Sequence, residues 1–420
     1  MLPVLLLVHV LLVHASIEFQ HAQYLHAQGV RGQSVDVAIV DSGIHPKATV
    51  RHIAYAGSWI PLVSSPDDAV GHGTSVAGLV ASTQPRCPGL APESKLHIYR
   101  LFESHTTVPP DEWFMRALEH IRHRRIPIIN LSNGDTRPSS SAVHNMMDTL
   151  VAAGSVVVAS TGNGGHHHSP SEQLSVLAVG AVDREGRMAP YSSRGTTRDG
   201  HLKPNLVALG SGLRCLRPDG IDCVRMSGTS MATPLVSGAI ALLLSARHTL
   251  RPGQIQQILM ETATRLQTGA TITEQGAGRL NLRRAYEYLS VYRPHISAHP
   301  SSLDLDVECP YLGSICKHTL FFLGPVLWFN ITLISGQTLN TPIHSVEWRS
   351  SSSALRVGFQ YSSVCWPYTG YLELRLQVAH AIAHPEWISG SIHVNRDELV
   401  IPVRFQLTPP PTRLQRKLKR

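Results

Sequence analysis

Short apolar segments alternate with helical segments between residues 34 and 290, and this alternation limits the possible folds more than any other feature of the sequence. Near-continuous apolar runs of this length are typical of strands in a parallel sheet that helices cover on both faces. The sequence therefore predicts the α/β class, with a doubly wound, mostly parallel sheet. The apolar runs are residues 34–40, 96–101, 126–132, 155–160 and 176–182.

Polar side chains stand where two of these runs end. Asp41 directly follows the first run, and Asn163 lies three residues beyond Ser160. In open parallel sheets, functional groups gather at the carboxyl ends of the strands. We therefore expect Asp41 and Asn163 to lie at one edge of the sheet, in a functional site.

Ser230 lies at the start of a segment that is apolar or small at nearly every position. A helix that is apolar all round belongs in a protein core, so we expect a buried central helix with Ser230 in its first turn. Developing negative charge is favoured at this end of a helix. A serine at a helix start is more often an N-cap, and only the rest of the chain can decide between these roles.

His72 supplies the group that a serine nucleophile needs. A serine hydroxyl is a weak nucleophile unless an imidazole takes its proton, and the imidazole needs a carboxylate to fix its tautomer. The side-chain amide of Asn163 could donate to the oxyanion that forms during the reaction. Taken singly, Asp41 and Asn163 could be turn residues and His72 a helix-start residue. Together, the four residue types predict acyl-transfer chemistry.

The order Asp41, His72, Asn163, Ser230, with its surrounding residues, resembles the subtilisin-like serine proteases. This resemblance implies that Asp41, His72 and Ser230 are catalytic, with Asn163 as the oxyanion donor. It also implies a subtilisin-like sheet, and a substrate-binding strand at Ser132, Asn133, Gly134 and Asp135 that pairs with the peptide backbone. Family resemblance makes a calcium ion possible, with no identifiable site. The matching segments are residues 40–44, 71–78, 162–163, 191–195, 203–204, 227–234 and 276–280.

Further segments resemble the site-1 protease branch of that family. The resemblance to this branch implies an endopeptidase of the secretory pathway that cleaves membrane-bound transcription factor precursors, with a basic residue at P4 and often Leu at P1. Asp135 or Glu103 could pair with the basic P4 side chain. Two alternatives are a kexin-type proprotein convertase and a non-catalytic binding protein with the subtilase fold. The segments are residues 90–100, 130–132, 274–282, 308–311 and 361–372.

The character of the chain changes after residue 290. Strict alternation places Leu372, Leu374, Leu376 and Val378 on one face, which is typical of half-buried antiparallel strands. We therefore predict a smaller antiparallel β-sandwich domain over residues 291–408. The sequon at Asn330 predicts glycosylation there, whereas the sequon at Asn130 lies in a buried strand and is discounted. The other predicted segments are a signal peptide at 1–15, the peptidase domain at 16–290 and a basic tail at 409–420.

Cysteine usage and the apolar N-terminus indicate the secretory pathway, in the endoplasmic reticulum, the Golgi or outside the cell. We expect disulfides within the short loops Cys215–Cys223 and Cys309–Cys316, whereas Cys87 and Cys365 could pair or remain buried thiols. No cysteine or histidine spacing predicts a metal site, and the histidines at 166–168 are interpreted as loop composition.

Charge and hydropathy indicate which classes of partner the protein binds. The formal net charge is +8, but no basic run is interleaved with aromatic residues, so we expect protein or peptide substrates and no nucleic acid. The sequence contains no run of about 20 apolar residues, so it does not predict a transmembrane helix. Because the predicted signal leads almost directly into the catalytic region, we also expect the family's N-terminal prodomain to be missing.

Overall fold

The computed structural model of the protein forms two compact units. The first comprises residues up to 198 and residues 203–293, and the second comprises residues 199–202 and the chain from 294 onward. The predicted signal peptide, the basic tail, Asp135, Cys309 and Cys316 lie outside the described residues. The structure describes residues 16–104, 109–134, 140–165, 167, 169–304, 327–350, 352–379 and 386–407.

A parallel sheet of seven strands forms the centre of the first unit. Its strands are β1 (Asp36–Asp41), β2 (Ile53–Ser58), β3 (Lys95–Arg100), β4 (Ile128–Leu131), β5 (Val156–Ser160), β6 (Leu177–Val182) and β9 (Leu206–Leu209). They lie in the order β2-β3-β1-β4-β5-β6-β9, and every adjacent pair is parallel. Residues of β4, β5 and β6 are buried throughout, as expected for strands covered on both faces. The predicted α/β fold class is confirmed.

Helices surround this sheet. The helices are α1 (Ile17–Ala27), α2 (His72–Ala81), α3 (Asp111–Arg124), α4 (Ser141–Ala152), α5 (Thr229–Ala246), α6 (Pro252–Thr262), α7 (Ile272–Gln275) and α8 (Leu282–Tyr288). Short strands β7 (Gly195–Thr196), β8 (Leu202–Lys203), β10 (Leu213–Leu216) and β11 (Cys223–Met226) complete the chain up to residue 293. Helices α2 and α5 pack against each other, and α5 also packs on β4, β5, β6 and β9.

The apolar helix α5 is the core helix of this unit. Within the part of the chain that the structure describes, it is the one helix long and apolar enough to cross a membrane, but 83% of the apolar stretch is buried inside the protein. Leu235, Val236, Ala239, Ile240 and Leu242 are fully buried. Its apolar composition therefore matches packing in a protein core.

The second unit contains two four-stranded sheets, in the orders β12-β14-β19-β17 and β13-β21-β20-β16. All pairs are antiparallel except β13 with β21. Leu372, Leu374 and Leu376 are fully buried in one core with Ile392 and Phe405 of the other sheet, which gives the predicted sandwich. The strands are β12 (Ile296–His299), β13 (Leu303–Asp304), β14 (Leu327–Ser335), β15 (Thr341–Pro342), β16 (Val346–Ser350), β17 (Leu355–Tyr361), β18 (Val364–Cys365), β19 (Thr369–Val378), β20 (Glu386–Val394) and β21 (Leu399–Leu407).

The expected pairing of Cys215 with Cys223 is wrong. In the β10–β11 hairpin, Cys215 is opposite Val224 and Leu216 is opposite Cys223, so the two cysteine side chains lie on opposite faces of the hairpin. Cys223 instead forms a disulfide with Cys87. Cys215 and Cys365 are buried free thiols, and burial raises the pKa of each to about 12.

Candidate active site

The site begins at the carboxyl end of β1, in the middle of the sheet. Asp41 is the last residue of β1, and its side chain is fully buried. The carboxylate oxygen Oδ1 accepts a hydrogen bond of 2.8 Å from the Ser42 backbone N–H. β1 lies between β3 and β4, so the segments that follow three neighbouring strands meet at this edge.

His72 is the first residue of α2 and contacts Asp41 directly. Its Nδ1 lies 2.7 Å from Asp41 Oδ1, and the imidazole is 12% exposed. Two glycines allow the helix start to lie so close to the end of β1. Gly71 has φ +87°, and a Cβ added to Gly73 would lie 2.3 Å from the carbonyl oxygen of Gly43. The Gly-His-Gly spacing in the sequence is thus a steric requirement of the Asp41–His72 contact.

The charge environment raises the pKa of His72 above its ordinary value. Burial of the ring lowers the pKa, but the adjacent carboxylate of Asp41 and, less strongly, that of Asp68 outweigh this effect. An imidazole with a raised pKa is a stronger base when neutral. The same carboxylates stabilise the imidazolium that forms after it has accepted a proton.

Ser230 is the second residue of α5 and is half-buried. The N-cap position of this helix belongs to Gly228, so Ser230 does not have the capping role that a serine at a helix start usually has. Because α2 and α5 pack against each other, the helices that begin with His72 and with Thr229 are neighbours in one core.

Asn163 lies beyond the end of β5 and beside the first turn of α5. Its Oδ1 accepts hydrogen bonds from the Thr229 backbone N–H at 2.9 Å and from Thr229 Oγ1 at 3.0 Å. Both bonds use the oxygen, which leaves the Nδ2 group available to donate to a ligand. Thr229 could not be identified from the sequence, because a threonine beside a serine at a helix start carries no signal of its own.

The predicted substrate-binding strand follows β4. Ser132 is buried and accepts a hydrogen bond from Asn130 Nδ2, while Asn130 Oδ1 accepts one from Ser237 of α5. Asn133 is half-buried and Gly134 is exposed. This network ties the strand to the core helix, with its polar groups satisfied.

Glu103, the alternative acid for a basic P4 side chain, already has a cationic partner. Its carboxylate lies 2.8 Å from Nη2 of Arg100, whose side chain is only 6% exposed. Arg100 also donates from Nη1 to the carbonyl oxygen of Ser65. Asp135, the other predicted acid, lies outside the described residues.

The predicted glycosylation site lies in the second unit. Asn330 is in β14, and its Nδ2, the atom that a glycan would occupy, donates to the Gly200 carbonyl oxygen at 2.8 Å; glycosylation there stays a prediction. Among the described residues, no group of three or more His, Cys, Asp or Glu could hold a metal ion. The calcium ion that the family resemblance makes possible stays a prediction without an assigned site.

Two family models match the chain. The model described as "Subtilase family" matches residues 32–278, and the one described as "MBTPS1, third Ig-like domain" matches residues 299–398. Together these matches cover both compact units, and the first includes Asp41, His72, Asn163 and Ser230.

Individual relatives agree with these matches. Subtilisin from Bacillus pumilus is 34% identical over 261 residues, covering 59% of this chain and 90% of that protein. Membrane-bound transcription factor site-1 protease from Mus musculus is 33% identical over 411 residues, covering 89% of this chain. The chain spans only 38% of the length of that relative. The solved structure of the prenylagaramide maturation protease PagA is 26% identical with a TM-score of 0.54, covering 65% of this chain and 99% of that one.

Proposed function

We propose that this chain, which belongs to the subtilase family and resembles its site-1 protease branch, is a serine endopeptidase with Ser230 as its nucleophile. The observation that carries the proposal is the 2.7 Å contact between the buried Asp41 carboxylate and His72 Nδ1. This contact fixes the imidazole tautomer in which Nε2 can accept a proton. His72 begins α2, and α2 packs against α5, the helix that carries Ser230.

The proposed reaction uses each group in turn. His72 Nε2 takes the proton of Ser230 while the Ser230 oxygen attacks the scissile carbonyl carbon, and the Nδ2 group of Asn163 donates to the resulting oxyanion. His72 then protonates the leaving amine, which departs and leaves an acyl-enzyme. Water, deprotonated by His72, attacks the acyl-enzyme, and the proton returns to Ser230 as the acid product leaves. An oxyanion donor of this kind contributes about 100- to 1000-fold to kcat.

Covalent labelling tests this proposal. A fluorophosphonate probe should label the expressed protein, with the modification located by mass spectrometry at Ser230. Ser230→Ala should prevent labelling, whereas Ser227→Ala should not, because Ser227 is an exposed serine just ahead of the same helix. Absence of labelling in a folded protein, with or without a subtilase prodomain supplied in trans, would instead favour the non-catalytic binding protein.

The similarity to membrane-bound transcription factor site-1 protease supports a proposal for the substrate class. We propose luminal precursor proteins of the secretory pathway, cleaved after Arg-x-x-Leu-like sequences. Peptides with Arg at P4 and Leu at P1 should be cleaved faster than Lys-Arg peptides. The reverse preference would favour the kexin-type convertase.

The proposed preference for a basic P4 side chain can be tested with variants of two acids, Asp135 and Glu103. Because Glu103 is already paired with Arg100, we assign the contact with a P4 arginine to Asp135. Asp135→Asn should lower kcat/KM for P4-Arg peptides by about 10-fold or more, the usual effect of losing a charged hydrogen bond, and leave P4-Ala peptides unchanged. Glu103→Gln serves as the control and should change cleavage of the P4-Arg and P4-Ala peptides to the same extent. An equal loss for both peptides in Asp135→Asn would contradict the assignment.

A further inference from the structure

A second buried carboxylate, that of Asp68, lies beside the proposed catalytic pair. Its Oδ1 accepts hydrogen bonds from Ser42 Oγ at 2.8 Å, from the Val70 N–H at 3.0 Å and from the Gly71 N–H at 2.7 Å. Its Oδ2 accepts from the Thr74 N–H at 2.8 Å and from Thr74 Oγ1 at 2.6 Å. The residue is 7% exposed, so five donors replace most of its contact with water.

These hydrogen bonds join the two segments that carry the catalytic pair. Ser42 follows Asp41, and its Oγ also accepts from the Gly73 N–H, next to His72, at 2.9 Å. Thr74 Oγ1, besides donating to Asp68, accepts from the His45 N–H at 2.9 Å. The segment after β1 is therefore joined to α2 by hydrogen bonds at residues on both sides of His72.

The carboxylate of Asp68 is ionised at neutral pH. Burial raises its pKa, but the hydrogen bonds from Thr74, Gly71 and Ser42 outweigh burial, and the pKa lies below its ordinary value. The charge also acts on the neighbouring imidazole: together with Asp41 it raises the pKa of His72. One of these carboxylates lies on β1 and the other in the loop before α2, and both raise the pKa of the ring.

We infer that Asp68 is a positioning residue, which fixes the first turn of α2 against the end of β1 so that His72 and Asp41 keep the geometry that proton transfer needs. The inference rests on the proposed function, because it concerns the same proton-transfer pair. Asp68 acts through His72 and does not touch the substrate. A shift of about 1 Å in such a group costs about 100-fold in rate.

Asp68→Asn tests this inference against a matched neighbour. The amide cannot accept hydrogen bonds at both ends, so at least one donor set is lost and the charge disappears. We expect kcat to fall by about 10- to 100-fold with KM within about twofold. The acidic limb of the kcat/KM profile should move to lower pH, because loss of a nearby negative charge lowers the pKa of His72. Asp67→Asn, which removes an exposed acid one residue earlier, should match the unaltered protein in both measurements.

Two further measurements keep the test decisive. Ser42→Ala keeps the charge of Asp68 but removes the hydroxyl that links it to Gly73, so kcat should fall while the acidic limb stays in place. If Asp68→Asn does not fold, this variant carries the test alone, and an unchanged kcat overturns the inference. NMR titration of His72, assigned with His72→Gln, should show a lowered pKa in Asp68→Asn even if the protein proves inactive. If the unaltered protein has no activity, the result counts against the proposed function. If folded Asp68→Asn keeps both its kcat and the pKa of His72 unchanged, the result overturns the positioning role.

Discussion

Asp41→Asn is expected to lower kcat for peptide hydrolysis by about 10,000-fold, with little change in KM. The asparagine amide has the size of the carboxylate, so the packing around the fully buried Asp41 side chain is kept. However, Asn Nδ2 can donate a hydrogen bond to His72 Nδ1, and this favours the tautomer with the ring proton on Nε2. In that tautomer Nε2 cannot accept the proton of Ser230. Loss of the charge also lowers the pKa of His72 and destabilises the imidazolium.

Asp36 provides the matched control for this experiment. Asp36 begins the strand that Asp41 ends, and its Oδ1 lies 2.7 Å from His97 Nε2, so Asp36→Asn removes a carboxylate–imidazole contact of the same length from the same strand. We expect kcat of this variant to stay within about twofold, because Asp36 lies at the opposite end of β1 from the site. Steady-state kinetics with one peptide substrate measures both. Asp41→Asn with more than a tenth of the original kcat would contradict the role of Asp41.

The sequence could predict the features that depend on local pattern. Apolar runs identified five of the seven strands of the parallel sheet, but not β2 or β9. They also placed Asp41 and Asn163 at the carboxyl ends of strands, where functional groups gather in parallel sheets. The helix that begins with Thr229 was recognisable from its apolar composition. Period-two alternation likewise identified the antiparallel strand that carries Leu372, Leu374 and Leu376, because one buried face is enough to produce that pattern.

Features that depend on contacts between distant segments could not be predicted in the same way. The Cys87–Cys223 disulfide joins residues 136 positions apart, whereas spacing alone favoured the shorter Cys215–Cys223 loop. Asp68 stands four residues before His72, but an acid in a polar loop is common, and only the folded backbone shows five donors around it. The contact of α1 with the core could not be predicted either, because its buried acid Glu18 pairs with Arg279, 261 residues further along the chain.

Glu18→Gln is expected to lower the free energy of unfolding by about 3–5 kcal/mol, the usual cost of breaking a buried ion pair. Glu18 lies in α1 and is fully buried. Its Oε1 lies 2.8 Å from Arg279 Nε and its Oε2 2.9 Å from Arg279 Nη2, a bidentate pair. The Leu209 N–H, at the end of β9, also donates to Oε1 at 3.3 Å. Glutamine leaves the Arg279 guanidinium, only 13% exposed, without its counter-charge.

Chemical denaturation should separate this buried pair from an exposed one. Glu93→Gln breaks the Arg31–Glu93 pair, whose distance is 2.9 Å but whose side chains are 43% and 29% exposed, so we expect a loss of at most about 1 kcal/mol. Replacing both Glu18 and Arg279 by Met should recover much of the stability lost in Glu18→Gln, because most of the cost comes from the unpaired charge rather than from the missing bond. If the double replacement is less stable than Glu18→Gln, the pair itself stabilises the fold and the unpaired charge is not the cause. A loss in Glu18→Gln no larger than that in Glu93→Gln would show that α1 is not anchored to the core through this pair.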